Sequence, residues 1–217
     1  MDEIIKHERT VKVDDDIVVQ GSRPPVSTVL LAGTAARYRL LEDGKRQITA
    51  LHVPGDFVDL HAFMLKTMDH GVLALSPCRV AAASHSDLTA VTEHHPHLAR
   101  LLWLSTVIDG AIHREWIVAM GRRSKQAQLA HLVCELYTRL AIVGLVDGKS
   151  FNLPLSQGEV ADVVGVSLVH LNKTLQGLRR DGLVRWIDRV ITILKWNELA
   201  EIAEFDGAYL NLFKEPR

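Results

Sequence analysis

The sequence is poor in cysteine. Only Cys78 and Cys134 occur among its 217 residues, they lie far apart, and no Cys-x-x-Cys pair is present. A zinc or iron–sulfur site built from cysteine alone needs more thiols at closer spacing. We therefore expect two buried, reduced thiols and no cysteine-only metal cage.

Long apolar runs and a leader-like N-terminus are also missing. The first ten residues, MDEIIKHERT, are charged, and no window contains the roughly 18 apolar residues that a membrane span needs. We expect a cytoplasmic protein with no membrane partner.

Motifs of common catalytic sites are absent as well. The sequence contains no Gly-x-Ser-x-Gly, no P-loop, no His-Glu-x-x-His, and no cysteine with a plausible neighbouring base. These absences predict that the protein is not an enzyme.

A large net charge is lacking, but the charges are unevenly distributed. The formal net charge is −1, and residues 121–217 hold 13 Lys/Arg against 11 Asp/Glu, whereas residues 1–120 hold 12 against 15. Within residues 168–189 five basic residues face only Asp181 and Asp188. A local basic face of this kind can bind phosphate although the whole chain is neutral.

The region from about residue 10 to 92 has the pattern of a β domain. Its apolar residues come in short runs at roughly ten-residue intervals, separated by turn signals such as Asp43-Gly44. This spacing predicts a small antiparallel barrel or sandwich, with a short helix at DLHAFMLKTM.

A long helix follows. In HHPHLARLLWLSTVIDGAIHREWIVAMG the spacing predicts a helix of about 22 residues with a coiled-coil-like row, and Gly121 is its expected end. We expect this row to form a homodimer contact, although packing on the β domain is the alternative; its residues are Leu98, Leu101, Ser105, Ile108 and Ile112.

The C-terminal part predicts a winged helix. After a helix in GRRSKQAQLAHLVCELYTRLAIVG come a short strand, two helices, two strands near LVRWI and VITIL, and a closing helix. We place the β domain at residues 1–96, the dimerisation helix at 97–120 and the winged helix at 121–217.

The two central helices have the signals of a helix-turn-helix. Ser156 and Glu159 form a capping-box pattern, Gly165 permits a tight turn, and Ser167 can cap the second helix. On that second helix Leu171, Leu175 and Leu178 share one face, so the polar residues between them should face solvent. An ordinary helical hairpin is the alternative, and the wing strands that follow argue against it.

We assign DNA contacts on this basis. The best base-contact candidates are His170, Asn172 and Lys173, because Asn can pair with adenine and Lys or His can donate to guanine. The wider predicted interface, in which the helix starts and the arginines contact mainly phosphate, comprises Ser156, Gln157, Ser167, Leu168, Val169, His170, Asn172, Lys173, Gln176, Arg179, Arg180, Arg185 and Arg189.

With these motifs in place, the chain resembles the CRP/FNR family of transcription regulators over nearly its full length. The resemblance is strongest in LPLSQGEVADVVGVS and HLNKTLQGLRRDGL, and it extends to the VPGD turn at residues 53–56 and to GRRSKQAQLAHL. It implies an α+β fold with an N-terminal double-stranded β-helix (jelly-roll) sensor domain. It also implies a long dimerisation helix and a homodimer whose winged helix-turn-helices bind a palindrome, with RNA polymerase as a possible further partner.

Departures from the best-known members limit the effector. Cyclic-AMP-binding relatives carry a Gly-Glu pair and an Arg-Ser or Arg-Thr, but between Gly55 and Arg79 the only lysine or arginine here is Lys66. Oxygen-sensing relatives carry an N-terminal cysteine cluster, and nothing before Cys78 could serve. The resemblance therefore disfavours cyclic AMP and an iron–sulfur cluster. The second helix also departs from its relatives, so we expect a different operator.

Histidine is frequent, with 11 in the chain. A haem or metal sensor is one explanation, since imidazole is a common ligand. We favour the alternative that His94, His95 and His97 are solvated and that His52 and His61 pack in the sensor domain. The effector remains unidentified, and a regulator without a ligand is compatible with the sequence.

The sequence thus predicts a homodimeric DNA-binding transcription regulator. The alternative from another class is a haem-, metal- or small-ligand-binding sensor module whose winged helix serves protein contact.

Overall fold

The computed structural model describes residues 5–65 and 67–213. These divide into two compact units, one of residues 5–111 with Phe213 and one of residues 112–212. The division falls inside a helix, whereas the sequence pattern places boundaries at both ends of that helix. No helix in the described ranges is long and apolar enough to span a membrane.

The first unit is built on two antiparallel sheets. One has the order β1-β7-β3 and the other β2-β6-β4-β5. The strands are β1 Ile5–Val11, β2 Asp16–Val18, β3 Val26–Ala32, β4 Ala35–Leu40, β5 Arg46–His52, β6 Gly71–Ala74 and β7 Cys78–Ser84. The predicted jelly-roll-type β domain is confirmed.

Its core lies between the two sheets. Leu30 of β3, Val72 of β6 and Val80 of β7 are buried in one apolar cluster with Met68 and Cys78. The β4–β5 hairpin turns at Gly44, whose φ of 81° suits glycine. The segment DLHAFMLKTM, predicted as a short helix, forms one 3-10 turn at Leu60–Phe63.

Two helices follow β7. Helix α1 covers His85–His94 and is capped by Ser84, and α2 covers Pro96–Arg122. Proline suits a first helical position because its missing N–H would have no intrahelical partner there. At 27 residues α2 is longer than predicted, and Gly121 lies inside it, since an exposed glycine costs a helix only about 1 kcal/mol.

The burial of apolar side chains along α2 differs from what the predicted row implies. Ile112 is buried within the single chain, and Leu101 is 38% exposed. The apolar side chains that α2 exposes most are Trp103 at 70%, Ile117 at 65% and Val107 at 49%. Packing within one chain therefore covers part of the row that the spacing favours and leaves another row open.

The second unit is a winged helix. Helices α3 Lys125–Ile142, α4 Gln157–Val164, α5 Leu168–Arg180 and α6 Trp196–Ala203 pack with a four-stranded sheet of order β10-β11-β9-β8. Its strands are β8 Val146–Asp147, β9 Ser150–Asn152, β10 Val184–Ile187 and β11 Val190–Ile193. The two cysteines, Cys78 in the first unit and Cys134 in the second, are buried free thiols, as predicted.

Candidate nucleic-acid interface

Helix α4 begins with a complete capping box. Glu159 N–H donates to Ser156 Oγ at 3.2 Å, and Ser156 N–H donates to Glu159 Oε2 at 2.6 Å. These bonds satisfy backbone donors that the first helical turn leaves without intrahelical partners. The sequence pattern identified both residues correctly.

A tight turn joins α4 to α5. Gly165 ends α4 in the left-handed region at φ 68°, and its N–H donates to the Ala161 carbonyl at 2.8 Å. Ser167 then caps α5 by accepting from the His170 N–H at 3.3 Å. This turn sets the angle between the two helices.

Helix α5 separates an apolar face from an exposed one. Leu171, Thr174, Leu175 and Leu178 are buried. The opposite stripe, at spacing i, i+4 and i+7, consists of Val169, Lys173 and Gln176, all exposed. His170 is exposed and Asn172 half-buried, so the three predicted base-contact residues lie on one helix with at least part of each side chain in solvent.

The predicted arginines have different surroundings. Arg185 and Arg189 are exposed on the hairpin formed by β10 and β11. Arg180 Nε contacts Asp181 Oδ1 at 3.2 Å. Arg179, which the sequence suggested as a phosphate contact, donates from Nη2 to the carbonyl of Trp186. This bond ties the last turn of α5 to the wing, a structural role that sequence reasoning missed.

Lys125 is a second residue that sequence reasoning missed. Its Nζ donates to the Val164 carbonyl at 3.1 Å and to Gln128 Oε1 at 2.9 Å. A cation at the C-terminal end of α4 complements the helix dipole. The start of α3 is thereby joined to the turn that positions α5, although no local motif announces such a contact.

In the β unit, the buried Arg37 forms an ion pair with the partly exposed Asp109 at the middle of α2. Its Nη1 lies 3.1 Å from Asp109 Oδ2, its Nη2 donates to the Val58 carbonyl at 3.4 Å, and the Arg37 side chain is 7% exposed. The segment between Gly55 and Arg79, where the family resemblance leads one to expect a phosphate-binding arginine, contains none. The structure instead places an arginine from β4 inside the unit, where a carboxylate of the same chain holds it.

Three histidines lie in the same region. His61 Nε2 and His70 Nε2 are 3.2 Å apart, and His70 Nδ1 lies 2.7 Å from Asp69 Oδ1. Burial, together with the Arg37 charge and His70, lowers the pKa of His61 to about 4. Burial also lowers the pKa of His52 and of His70. The packed positions predicted for His52 and His61 are confirmed, His52 being buried and His61 half-buried.

The other candidate ligands lie on the surface. His94, His95 and His97 are exposed, as predicted. Among residues 5–65 and 67–213 no group of three or more His, Cys, Asp or Glu side chains has an arrangement that could hold a metal ion.

Family models match both units. The model described as cyclic nucleotide-binding domain matches residues 8–95, and the one described as Crp-like helix-turn-helix domain matches residues 127–202. The second match covers α4, α5 and the wing, so these elements form a helix-turn-helix domain and not an ordinary helical hairpin.

Individual proteins that are similar to this chain are consistent with the family models. The transcriptional activator protein FnrL of Cereibacter sphaeroides is 25% identical over 84% of this chain and 74% of its own. The nitrogen fixation regulation protein FixK of Bradyrhizobium diazoefficiens is 28% identical over 76% of this chain and 68% of its own. The solved structure of FixK2 from Bradyrhizobium japonicum is similar in fold, with a TM-score of 0.82 at 23% identity over 90% of this chain and 96% of that one.

Proposed function

Because the chain belongs to the CRP/FNR family of DNA-binding transcription regulators, we propose that it binds a palindromic operator as a homodimer in the cytoplasm. The observation that carries this proposal is the exposed stripe of α5, which starts at a capped helix N-terminus. In helix-turn-helix proteins the N-terminal residues of the second helix contact base edges in the major groove.

In the proposed DNA complex we assign base contacts to one group of residues and phosphate contacts to another. His170, Asn172 and Lys173 contact base edges, because they combine exposure with donors that suit guanine or adenine. Ser156, Gln157 and Ser167 at the helix starts, with Arg180, Arg185 and Arg189, contact phosphate. Arg179 supports the wing through its hydrogen bond to Trp186, and its positive charge adds to the attraction for the DNA backbone.

The homodimer contact that we propose lies on α2. Trp103, Val107 and Ile117 are separated by 4 and 10 residues, which places them on one side of the helix, and all three are exposed. A helix of 27 residues extends about 40 Å. A pair of such helices is long enough to support two copies of helix α5 that enter major grooves roughly 34 Å apart on one face of the DNA. This row replaces the row of Leu98, Leu101, Ser105, Ile108 and Ile112 as the centre of the proposed contact.

For the effector we propose a signal other than cyclic AMP or an iron–sulfur cluster. The buried Arg37 is already paired with Asp109, so a cyclic phosphate would have to compete with a carboxylate of the same chain. For an activating role, RNA polymerase is the additional partner.

The test is selection of bound genomic fragments by the purified protein, followed by affinity measurement on the enriched sequence. We expect one palindrome. Replacing Lys173 by Ala should weaken binding by about 1–3 kcal/mol and relax the preference at one position of each half-site, which loss of a phosphate contact would not do. Lys12→Ala removes the same charge from an exposed site on the β unit and should leave the affinity unchanged.

One outcome would count against this function, and another only against the assignment of Lys173. Absence of any enriched sequence, together with a haem, metal or metabolite retained through purification, would favour the sensor module whose winged helix contacts protein. An enriched palindrome whose affinity is the same for the Lys173→Ala variant would remove Lys173 from the base contacts.

A further inference from the structure

The first turn of α5 carries an exposed apolar residue where a polar one would be more stable. Val169 is 82% exposed, more than any other large apolar side chain in the described ranges, and the preceding Leu168 is 48% exposed. The first turn contains no acidic residue, although a carboxylate there would interact favourably with the helix dipole.

Helix stability does not account for this valine. β-Branched residues lose side-chain freedom in a helix and rank below alanine in propensity. Val169 is also absent from the buried face that packs α5 onto the unit, which consists of Leu171, Thr174, Leu175 and Leu178. Val169 therefore adds nothing to the packing of the unit, and its methyl groups are available to a bound partner.

Its position on the helix indicates what that is. Val169 begins the exposed stripe that continues through Lys173 and Gln176, one turn and two turns further along the same side. A helix inserted into the major groove with this stripe towards the bases would bring Val169 against a base edge. The only methyl group on any base edge in that groove is the C5 methyl of thymine.

We propose that Val169 is a specificity-determining residue that contacts the thymine C5 methyl at one position of each operator half-site. This inference rests on the proposed DNA-binding function and deepens it. The contact would be made by the two γ-methyl groups of the valine and would exclude water from the thymine methyl. Because cytosine lacks this methyl and presents a polar N4 donor instead, the valine would also disfavour cytosine at that position.

The test removes the thymine methyl and nothing else. Each thymine of the selected operator is replaced in turn by deoxyuridine, which retains base pairing, and affinity is measured by fluorescence anisotropy at one fixed salt concentration. Burial of one methyl corresponds to about fourfold in affinity. We expect the wild type to lose about that factor at one position when a single half-site is changed, and to be unaffected at thymines outside its contacts.

Variants of Val169 complete the comparison. Val169→Ala should bind the thymine and deoxyuridine operators equally, and Val169→Thr, which keeps one methyl, should retain part of the difference. Alanine is the better helix former, so thermal unfolding should show no loss of stability. Val19→Ala makes the same change at a 56% exposed site on the β unit and should keep the full wild-type difference.

The outcomes distinguish a failure of the Val169 assignment from a failure of the proposed DNA-binding function. If no operator is selected at all, the proposed function fails. If an operator is found but the wild type tolerates removal of every thymine methyl, or if Val169→Ala keeps the full methyl dependence, the assignment of Val169 is overturned while DNA binding stands.

Discussion

Trp116, near the end of α2, donates a hydrogen bond from its indole Nε1 to Glu135 Oε2 of α3 at 3.1 Å. Tyr209 donates its hydroxyl to the same oxygen at 2.9 Å, and Arg139 Nη1 contacts Glu135 Oε1 at 3.1 Å. Glu135 is fully buried, and burial raises its pKa. Helix α2, helix α3 and the 3-10 turn Gly207–Leu210 thus meet on one carboxylate.

Removing that carboxylate should destabilise the winged-helix unit. In Glu135→Leu, Trp116 and Tyr209 lose their acceptor and the buried Arg139 loses its counter-charge. Breaking a buried ion pair by removing one partner costs about 3–5 kcal/mol. Amide hydrogen exchange in α3 measures this locally, and Glu135→Gln, which keeps one acceptor oxygen, should lose less. Equal exchange protection in the wild type and the leucine variant would contradict the argument.

The Arg37–Asp109 pair should show energetic coupling. Each single variant, Arg37→Met or Asp109→Ala, disturbs a contact in which Arg37 is 7% exposed and Asp109 35% exposed. Because the aspartate is partly solvated, we expect a coupling energy of about 1–2 kcal/mol in a double-mutant cycle. Exchange protection of the β3 and β4 amides reports the β unit alone. Additive single effects would show that the two charges do not support each other.

The pH dependence of the β unit should depend on Asp59. This carboxyl is buried, it accepts the Thr28 N–H at 2.5 Å, and burial raises its pKa to about 7. Between the ordinary value near pH 4 and pH 7 the folded state therefore binds more protons than the unfolded state, so this group's stabilisation is lost as pH rises.

Asp59→Asn removes that dependence. The unfolding free energy of the variant relative to the wild type should increase with pH between about 4 and 7, by at most about 1.4 kcal/mol per pH unit, and level off above that range. Exchange protection of the β3 amides, measured in both proteins at a series of pH values, gives this difference in unfolding free energy. The contributions of groups that titrate equally in the two proteins cancel in the difference. A difference that is constant from pH 5 to 8 would show that Asp59 ionises normally.

The exposed row of α2 should control association. Val107→Glu combined with Ile117→Glu places two like charges in each copy of the proposed contact, where burying unpaired charge is costly. We expect sedimentation equilibrium to change from dimer to monomer. Ile142→Glu introduces a charge at a 58% exposed site at the end of α3 and should leave the dimer intact. A dimer that survives the double substitution would instead favour a contact through the row of Leu98, Leu101, Ser105, Ile108 and Ile112.

Local signals carried the prediction of the helix-turn-helix. The capping box of Ser156 and Glu159, the Ser167 cap and the buried row at i, i+4 and i+7 involve residues within one or two helical turns of each other. Such contacts are specified by spacing alone. The regular spacing of short apolar runs and the Asp-Gly turn, which are also local signals, identified the β domain.

Contacts between distant residues required the tertiary structure. Arg37 and Asp109 are 72 positions apart, and Glu135 and Tyr209 are 74 apart, so no periodicity connects either pair. Periodicity placed the expected contact of α2 on the row that contains Ile112, and only packing decided that Ile112 is covered while Trp103 and Ile117 are open. The sequence by itself determined the local elements and the family, because those depend on neighbouring side chains. The tertiary structure decided which charges are paired and which apolar surfaces remain for a partner, because both depend on what the rest of the chain covers.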